Sequence, residues 1–121
     1  TPILINHLAD VIFELSDDGA SGIFNVVGRE RLSKYDFGLR VAKTFGYQEN
    51  QIYPISVKEL NLQADRPKDM SLSCVKVEKQ IGRRMPTVID GLNHLLYLDH
   101  DGWRNRLGTL IPTLSAEQQG D

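Results

Sequence analysis

The segment 64–72 carries the residues with the clearest capacity for ligand chemistry. Arg66 offers a planar fork of donors that suits a phosphate group. Asp69, three residues later, offers carboxylate oxygens that suit sugar hydroxyls. Pro67 restrains its own φ angle and favours an extended backbone at Arg66. One loop could therefore contact both the phosphates and the sugar of a nucleoside diphosphate. From these residues alone, an exposed arginine in a solvated turn remains the alternative.

The other familiar patterns of catalytic chemistry do not occur in this sequence. No predicted strand is followed by G-x-G-x-x-G, and there is no P-loop. None of the four tyrosines has a lysine four residues later, so no Tyr-x-x-x-Lys pair is present. The three histidines are not spaced i, i+4 and have no cysteine cluster beside them, which favours polar surface histidines over a metal site. The residues alone therefore predict no catalytic group, no metal and no cofactor-binding residue.

Three further features are better explained by structure than by chemistry. Ser33 is interpreted as a helix cap, because no histidine or acid is arranged to activate it. Cys74 is predicted to be a small buried hydrophobe in an amphipathic helix. A basic cluster is predicted at the carboxyl end of that helix, where cations complement the helix dipole. Its members are Lys76, Lys79, Arg83 and Arg84.

The bulk composition indicates one ordinary globular domain. The chain has 121 residues, of which 40% are hydrophobic and 25% charged. Its net charge of −2 gives no reason to expect a nucleic acid or an anionic membrane as partner. No apolar run is long enough to span a bilayer, and the first residues do not resemble a secretory signal. A single cysteine suits a reducing compartment, so a cytoplasmic location is expected.

The pattern of elements predicts an α/β (or α+β) domain, in which helices surround a few short strands. Strands are predicted at 3–5, 23–27 and 52–55. Four helices are predicted between and after them, with Asn6, Ser33, Ser73 and Thr87 as caps, and Ser56 opens a short helical turn. The single domain has its core at about 1–107 and a polar tail at 115–121. Since the chain opens on a strand already under way, we expect a fragment of a longer polypeptide.

Five segments, taken in order, resemble one family. They are 1–9 (TPILINHLA), 22–28 (GIFNVVG), 32–37 (LSKYDF), 66–72 (RPKDMSL) and 81–86 (IGRRMP). Together they are similar to the carboxyl-terminal, substrate-binding part of dTDP-4-dehydrorhamnose reductases, which are extended short-chain dehydrogenase/reductases with a Rossmann-type NAD(P)-binding domain. The similarity runs from residue 1 to about residue 96. His7 stands where members of this family usually carry an acid.

The resemblance implies a function that the residues alone do not. Members of this family use NADPH (or NADH) to reduce a 4-keto sugar carried on a nucleoside diphosphate. The nucleotide-binding Rossmann domain, which this chain lacks, supplies the glycine-rich turn and the catalytic Ser/Thr, Tyr and Lys. In related enzymes an Arg-Pro-x-Asp motif contacts the substrate, which implies that Arg66 binds the diphosphate and Asp69 a ribose hydroxyl. This chain alone is therefore expected to be inactive, to bind no cofactor, and to take a dTDP-linked 4-keto-6-deoxyhexose as ligand.

Two alternatives remain open at this stage. The parent protein could be a nucleotide-sugar epimerase or dehydratase of the same superfamily. It could also be a non-catalytic regulatory subunit similar to the β subunit of methionine adenosyltransferase, which acts through protein contacts. Besides a nucleotide sugar, the expected partners are the missing amino-terminal Rossmann domain and a second copy of the chain, as a homo-oligomer.

Overall fold

Four α-helices and two short 3-10 helices make up the regular structure in the part of the chain that the structure describes. The computed structural model describes residues 1–60, 63–64, 67–103 and 106. The helices are α1 (Ile5–Asp17), α2 (Lys34–Phe45), α3 (Val75–Ile81) and α4 (Val88–His100), and two single-turn 3-10 helices lie at Glu49–Gln51 and Val57–Glu59. Helix α1 packs on α3 and helix α2 packs on α4, so the domain consists of two helix pairs.

Polar caps define the starts of α2 and α4, as predicted. The Ser33 hydroxyl accepts the Asp36 amide hydrogen at 3.0 Å, and the Asp36 carboxylate accepts from Ser33 in return. Thr87 and Asp90 form the same reciprocal box at the start of α4. Each box satisfies amides that the first helical turn leaves without intrahelical partners.

The predicted start of α1 is wrong by two residues. Leu4 is the N-cap and makes no side-chain hydrogen bond, while Asn6 lies inside the helix. The helix begins through the backbone alone, with the Leu8 amide donating to the Leu4 carbonyl at 3.0 Å. Ser73 likewise precedes the observed cap Cys74, although its hydroxyl accepts from the Val75 amide at 3.4 Å.

None of the three predicted strands forms within the described residues. Residue 5 already belongs to α1, and 23–27 and 52–55 have no regular secondary structure. Their backbone groups find other partners: the Ile23 carbonyl accepts from Lys76 Nζ at 2.7 Å, and the Ile52 amide donates to the Glu49 carbonyl at 3.0 Å. A strand needs a neighbouring strand to complete its ladder, and apolar composition does not supply one. Here the described domain is helical, and irregular segments connect the helices.

The irregular segments nevertheless come very close to one another at Gly28. A Cβ atom placed on this residue would lie 2.0 Å from the Pro2 carbonyl oxygen, so only glycine fits. The amide of Leu72 also approaches the amino-terminal segment, donating to Thr1 Oγ1 at 3.4 Å. Residues 1–2, 28 and 72 therefore lie side by side although they are far apart in sequence.

The core lies between α1 and α3. Val11, Cys74, Val77 and Met85 form its buried cluster, against which Phe24 and Val26 pack. The prediction that Cys74 is buried is confirmed. Val88 and Leu92 of α4 are also buried, whereas Leu95 is 41% exposed and does not belong to the core. In the described part of the chain, no helix is long and apolar enough to cross a membrane.

Candidate functional site

Asp69 shapes the turn that follows Pro67. Its Oδ1 atom accepts from the Ser71 amide at 2.9 Å and from the Ser71 hydroxyl at 2.6 Å. This is the local turn that an aspartate makes with the backbone two residues ahead. The carboxylate is thereby held in one orientation at the surface.

Arg31 contacts the other oxygen of the same carboxylate. Its Nε and Nη2 atoms lie 3.1 and 2.9 Å from Asp69 Oδ2. Both side chains are largely exposed, 70% for Arg31 and 53% for Asp69. The pair joins two segments that are 38 residues apart in sequence.

Three hydrogen bonds engage the Asp69 carboxylate, two from Ser71 to Oδ1 and one from Arg31 Nε to Oδ2. An ionised carboxylate has about four lone-pair directions, so most of its acceptor positions are in use. The same contacts hold the pKa of Asp69 well below its usual range, the Ser71 hydroxyl having the largest effect, followed by the Ser71 amide and Arg31. Asp69 is therefore a charged acceptor, and a further donor has to compete with the donors already present.

Glu30 positions Arg31. Its carboxylate accepts from Arg40 Nη1 of α2 at 2.8 Å and from the Val88 amide of α4 at 2.7 Å. The Arg40 hydrogen bond and the Val88 amide lower the pKa of Glu30, and partial burial opposes them. Glu30 thus fixes the segment before α2 against α4, while the next residue, Arg31, reaches outward to Asp69.

Of the two site residues implied by the resemblance, the structure describes Asp69 and does not describe Arg66. Asp69 lies in an exposed loop, engaged as described above, whereas Arg66 lies outside the described residues, as does the predicted tail at 115–121. The sequence reasoning did not identify Arg31. The sequence Arg29-Glu30-Arg31 after Gly28 could have indicated it. In an extended segment, successive side chains point in opposite directions, so Glu30 can face the domain while Arg31 faces outward.

Of the four basic residues predicted to complement the helix dipole, Lys79 lies in the last turn of α3, whereas Lys76 lies near the start of that helix. Arg83 makes a double contact with Glu14 of α1, Nη2 to Oε1 at 2.6 Å and Nε to Oε2 at 3.1 Å. That hydrogen bonding raises the pKa of Arg83. Arg84 Nη1 lies 3.9 Å from Glu78 Oε2, and Lys76 Nζ lies 4.2 Å from the centroid of the Phe24 ring.

An open cleft of about 380 Å³ lies between Lys79, Arg83 and Arg84, with Glu78 in its wall. Two of the three cations at this cleft, Arg83 and Arg84, are paired with Glu14 and Glu78.

The histidines differ from the expectation of separate surface side chains. His7 and His94 are half-buried and their ring nitrogens lie 2.9 Å apart, whereas His100 is exposed. No group of three potential ligands that could hold a metal ion occurs among the described residues. Residues 87 positions apart give no sequence signal of such a pairing.

Residues 1–99 match the family model described as the RmlD substrate binding domain. The chain belongs to this family. The match confirms the resemblance to the substrate-binding part of dTDP-4-dehydrorhamnose reductase-like proteins, and it includes the helices and the Asp69 turn.

Curated relatives fall into two functional groups. The chain is 30% identical over 92 residues to the probable low-salt glycan biosynthesis reductase Agl14 of Haloferax volcanii, covering 76% of this chain and 31% of that protein. It is 30% identical over 91 residues to methionine adenosyltransferase 2 subunit beta of Rattus norvegicus, covering 70% of this chain and 27% of the relative. The counterpart from Pongo abelii is 32% identical over 91 residues, with the same shares covered. The chain thus spans about a third of the length of the curated relatives it matches. No solved structure matches it significantly.

Proposed function

We propose that this chain binds the sugar nucleotide in an NADPH-dependent reductase that acts on a dTDP-linked 4-keto-6-deoxyhexose. The family match over residues 1–99 carries the proposal. The reductase of Haloferax volcanii, similar over 76% of this chain, supports the reductase class. The choice of dTDP and of the keto sugar comes from the resemblance of the five sequence segments.

In this proposal Arg66 pairs with the diphosphate and Asp69 accepts a ribose hydroxyl. Three hydrogen bonds already engage the Asp69 carboxylate, so the arriving hydroxyl competes with the donors that are present. Arg31 is the donor that can leave most easily, because its side chain is 70% exposed and an exposed ion pair contributes little to stability. The released guanidinium is then free to pair with a phosphate oxygen.

The cofactor belongs to a different part of the proposed protein. A nucleotide-binding Rossmann domain, placed before this chain in a longer polypeptide, would bind NADPH (or NADH) and supply the catalytic groups. This chain then contributes substrate binding only and is inactive alone. A cytoplasmic location is consistent with that role and with the presence of a single cysteine.

Calorimetry with four ligands tests this function. The longer protein should bind dTDP-glucose more tightly than UDP-glucose, bind dTDP more weakly than either sugar nucleotide, and bind NADPH independently of all three. Consumption of NADPH with a dTDP-linked 4-keto sugar completes the assignment. Equal and weak binding of all sugar nucleotides would contradict it.

The second candidate is a non-catalytic regulatory subunit. The similarity to methionine adenosyltransferase 2 subunit beta over 70% of this chain favours it. The sequence of the longer protein discriminates between the two, because a reductase requires a Ser/Thr and a Tyr-x-x-x-Lys pair in the preceding domain. If that set is intact, the reaction product separates a reductase from an epimerase or dehydratase, which leaves no net oxidation of NADPH.

A further inference from the structure

Two imidazole rings from distant parts of the chain meet between α1 and α4. His94 Nδ1 lies 2.9 Å from His7 Nε2, and the ring centroids are 4.9 Å apart with their planes tilted by 39°. At this distance one nitrogen donates a hydrogen and the other accepts it. The two rings can therefore not both carry a hydrogen at the facing nitrogens.

The surroundings of His7 assign the tautomers. Its second nitrogen, Nδ1, is buried and has no hydrogen-bond partner among the described residues. A buried N–H without an acceptor is rarer in proteins than a buried acceptor without a donor. The hydrogen of neutral His7 is therefore assigned to Nε2, which donates to His94 Nδ1, and His94 carries its own hydrogen on Nε2.

The contact has a particular place in the fold. Helices α1 and α3 form one pair and helices α2 and α4 the other, so a bond from His7 to His94 joins the two pairs. One turn earlier on both helices, the Leu4 side chain lies against Gly91, where an added Cβ would be 3.4 Å from Leu4 Cβ. A cavity of about 120 Å³ lies beside that contact and is lined by Leu4, Gly91 and Leu95 among others.

We infer that His7 and His94 form a proton-sensitive link between the two helix pairs, which is closed when both rings are neutral and opens as they take up protons. The first added proton necessarily places a hydrogen on the buried Nδ1 of His7. If His7 takes the proton, its ring carries hydrogens on both nitrogens. If His94 takes it, His94 Nδ1 becomes the donor, and the accepting His7 must move its hydrogen from Nε2 to Nδ1. A second proton sets two N–H groups and two positive charges against each other at 2.9 Å.

The charged groups around the pair modify this behaviour without reversing it. Burial lowers the pKa of His7 most, and His94 lowers it further. Asp10 of α1 and Asp90 of α4 raise it, while Arg83, in the connection between α3 and α4, lowers it. Asp90 is already engaged by Thr87, and Arg83 by Glu14. The balance leaves the pKa of His7 below its ordinary value of 6.5.

The sign of the resulting pH dependence follows from linkage. As pH falls through 6.5, the unfolded chain takes up a proton at His7 before the folded chain does. The folding equilibrium constant should therefore decrease as the pH is lowered from 6.5 to the folded pKa of His7. The decrease is at most about tenfold per pH unit. Below that pH this contribution is constant.

The test combines a tautomer measurement with a matched pair of substitutions. Long-range proton–nitrogen NMR of the 121-residue chain at pH 7.5 should place the hydrogens of both rings on Nε2. In the variant H7Q/H94N, the glutamine amide nitrogen replaces Nε2 and the asparagine oxygen replaces Nδ1, so the bond persists and cannot titrate. Urea unfolding followed by circular dichroism should show a smaller loss of stability between pH 7.5 and 5.5 in this variant than in the natural chain.

His100→Gln is the control, because His100 is exposed at the end of α4. This variant should retain the natural pH dependence. A hydrogen on His7 Nδ1 at pH 7.5, or an undiminished pH dependence in H7Q/H94N, would overturn the inference. If the double variant does not fold, an NMR titration of the natural chain is the deciding measurement. The inference requires a titration midpoint of His7 below 6.5, and a midpoint at or above 6.5 would overturn it.

Discussion

The Glu30 carboxylate accepts the amide hydrogen of Val88 at 2.7 Å, across 58 residues of sequence. It supplies an acceptor to the first turn of α4 from outside the helix, in addition to the Thr87–Asp90 capping box. The same carboxylate binds Arg40 of α2. One side chain thus sets the position of α4 relative to α2 and, through the neighbouring Arg31, the position of the Asp69 loop.

Glu30→Ala should destabilise the chain by about 1–3 kcal/mol, because it removes a charged partner from Arg40 and leaves the Val88 amide without its acceptor. Glu30→Gln should cost less, since an amide oxygen can still accept from Val88. The folded pKa of Glu30 lies below 4.5, so its contribution is present above pH 4.5 and is lost as pH falls through the folded pKa. Urea unfolding at several pH values measures both effects. Glu49→Ala, at an exposed position, is the control, and an equal loss for both variants would contradict this role.

Arg31→Gln should free one oxygen of the Asp69 carboxylate while leaving the Ser71 contacts in place. The pKa of Asp69 should rise towards its ordinary value and yet remain below it, because Ser71 has the larger effect. Carbon-detected NMR titration of the carboxyl group measures this shift. Global stability should hardly change, since the pair is exposed. Lys34→Gln removes the same charge nearby without touching Asp69, and an identical shift in that variant would show a general charge effect.

Arg66→Ala in the longer protein should weaken sugar-nucleotide binding by about 1.5–3 kcal/mol, the scale of a hydrogen bond to a charged group. Arg66→Lys should recover only part of the loss, because an ammonium cannot make the planar double contact. Asp69→Asn should be milder, and NADPH affinity should stay the same in all three variants. Calorimetry with both ligands is the measurement, and Lys68→Gln is the neighbouring control. Equal losses of affinity for substrate and cofactor would indicate unfolding. No loss of affinity would mean that Arg66 is an exposed arginine in a solvated turn and does not bind the diphosphate.

The 121-residue chain alone should neither bind NADPH nor oxidise it in the presence of a keto-sugar nucleotide. The reason is the lack of a phosphate-binding glycine turn and of a Tyr-x-x-x-Lys pair in its sequence. Calorimetry and absorbance at the NADPH band provide the two measurements. Micromolar affinity for NADPH would contradict the division of labour proposed above.

The isolated chain should self-associate through α1. Ile5, Ile12 and Phe13 are 69%, 52% and 69% exposed and are spaced i, i+7 and i+8 along one face of that helix. Ile12→Ser with Phe13→Ser should shift sedimentation towards a monomer, whereas Tyr53→Ser, an exposed aromatic outside α1, should not. A strictly monomeric natural chain with a cooperative melt at high temperature would argue against an interface on this face.

Local sequence signals predicted the helices better than they predicted what the helices contact. The caps at Ser33 and Thr87 depend on neighbouring residues only, and both are present. The strands at 23–27 and 52–55 depend on a partner segment, which an apolar run cannot specify. Contacts such as Arg31 with Asp69, or His7 with His94, join residues 38 and 87 positions apart and require the packed fold. The binding role of Asp69 therefore stays a prediction, and its contact with Arg31 could not be predicted from the sequence.

The buried thiol of Cys74 makes local opening of the core measurable by thiol labelling. It is the one cysteine of the chain, it packs in the cluster shared by α1 and α3, and burial raises its pKa. A thiol reagent can therefore react at a useful rate only in molecules whose α1–α3 contact is transiently broken. The labelling rate would measure how often the α1–α3 contact opens, without any introduced probe. A slower rate in the presence of a partner would show that the partner stabilises this contact.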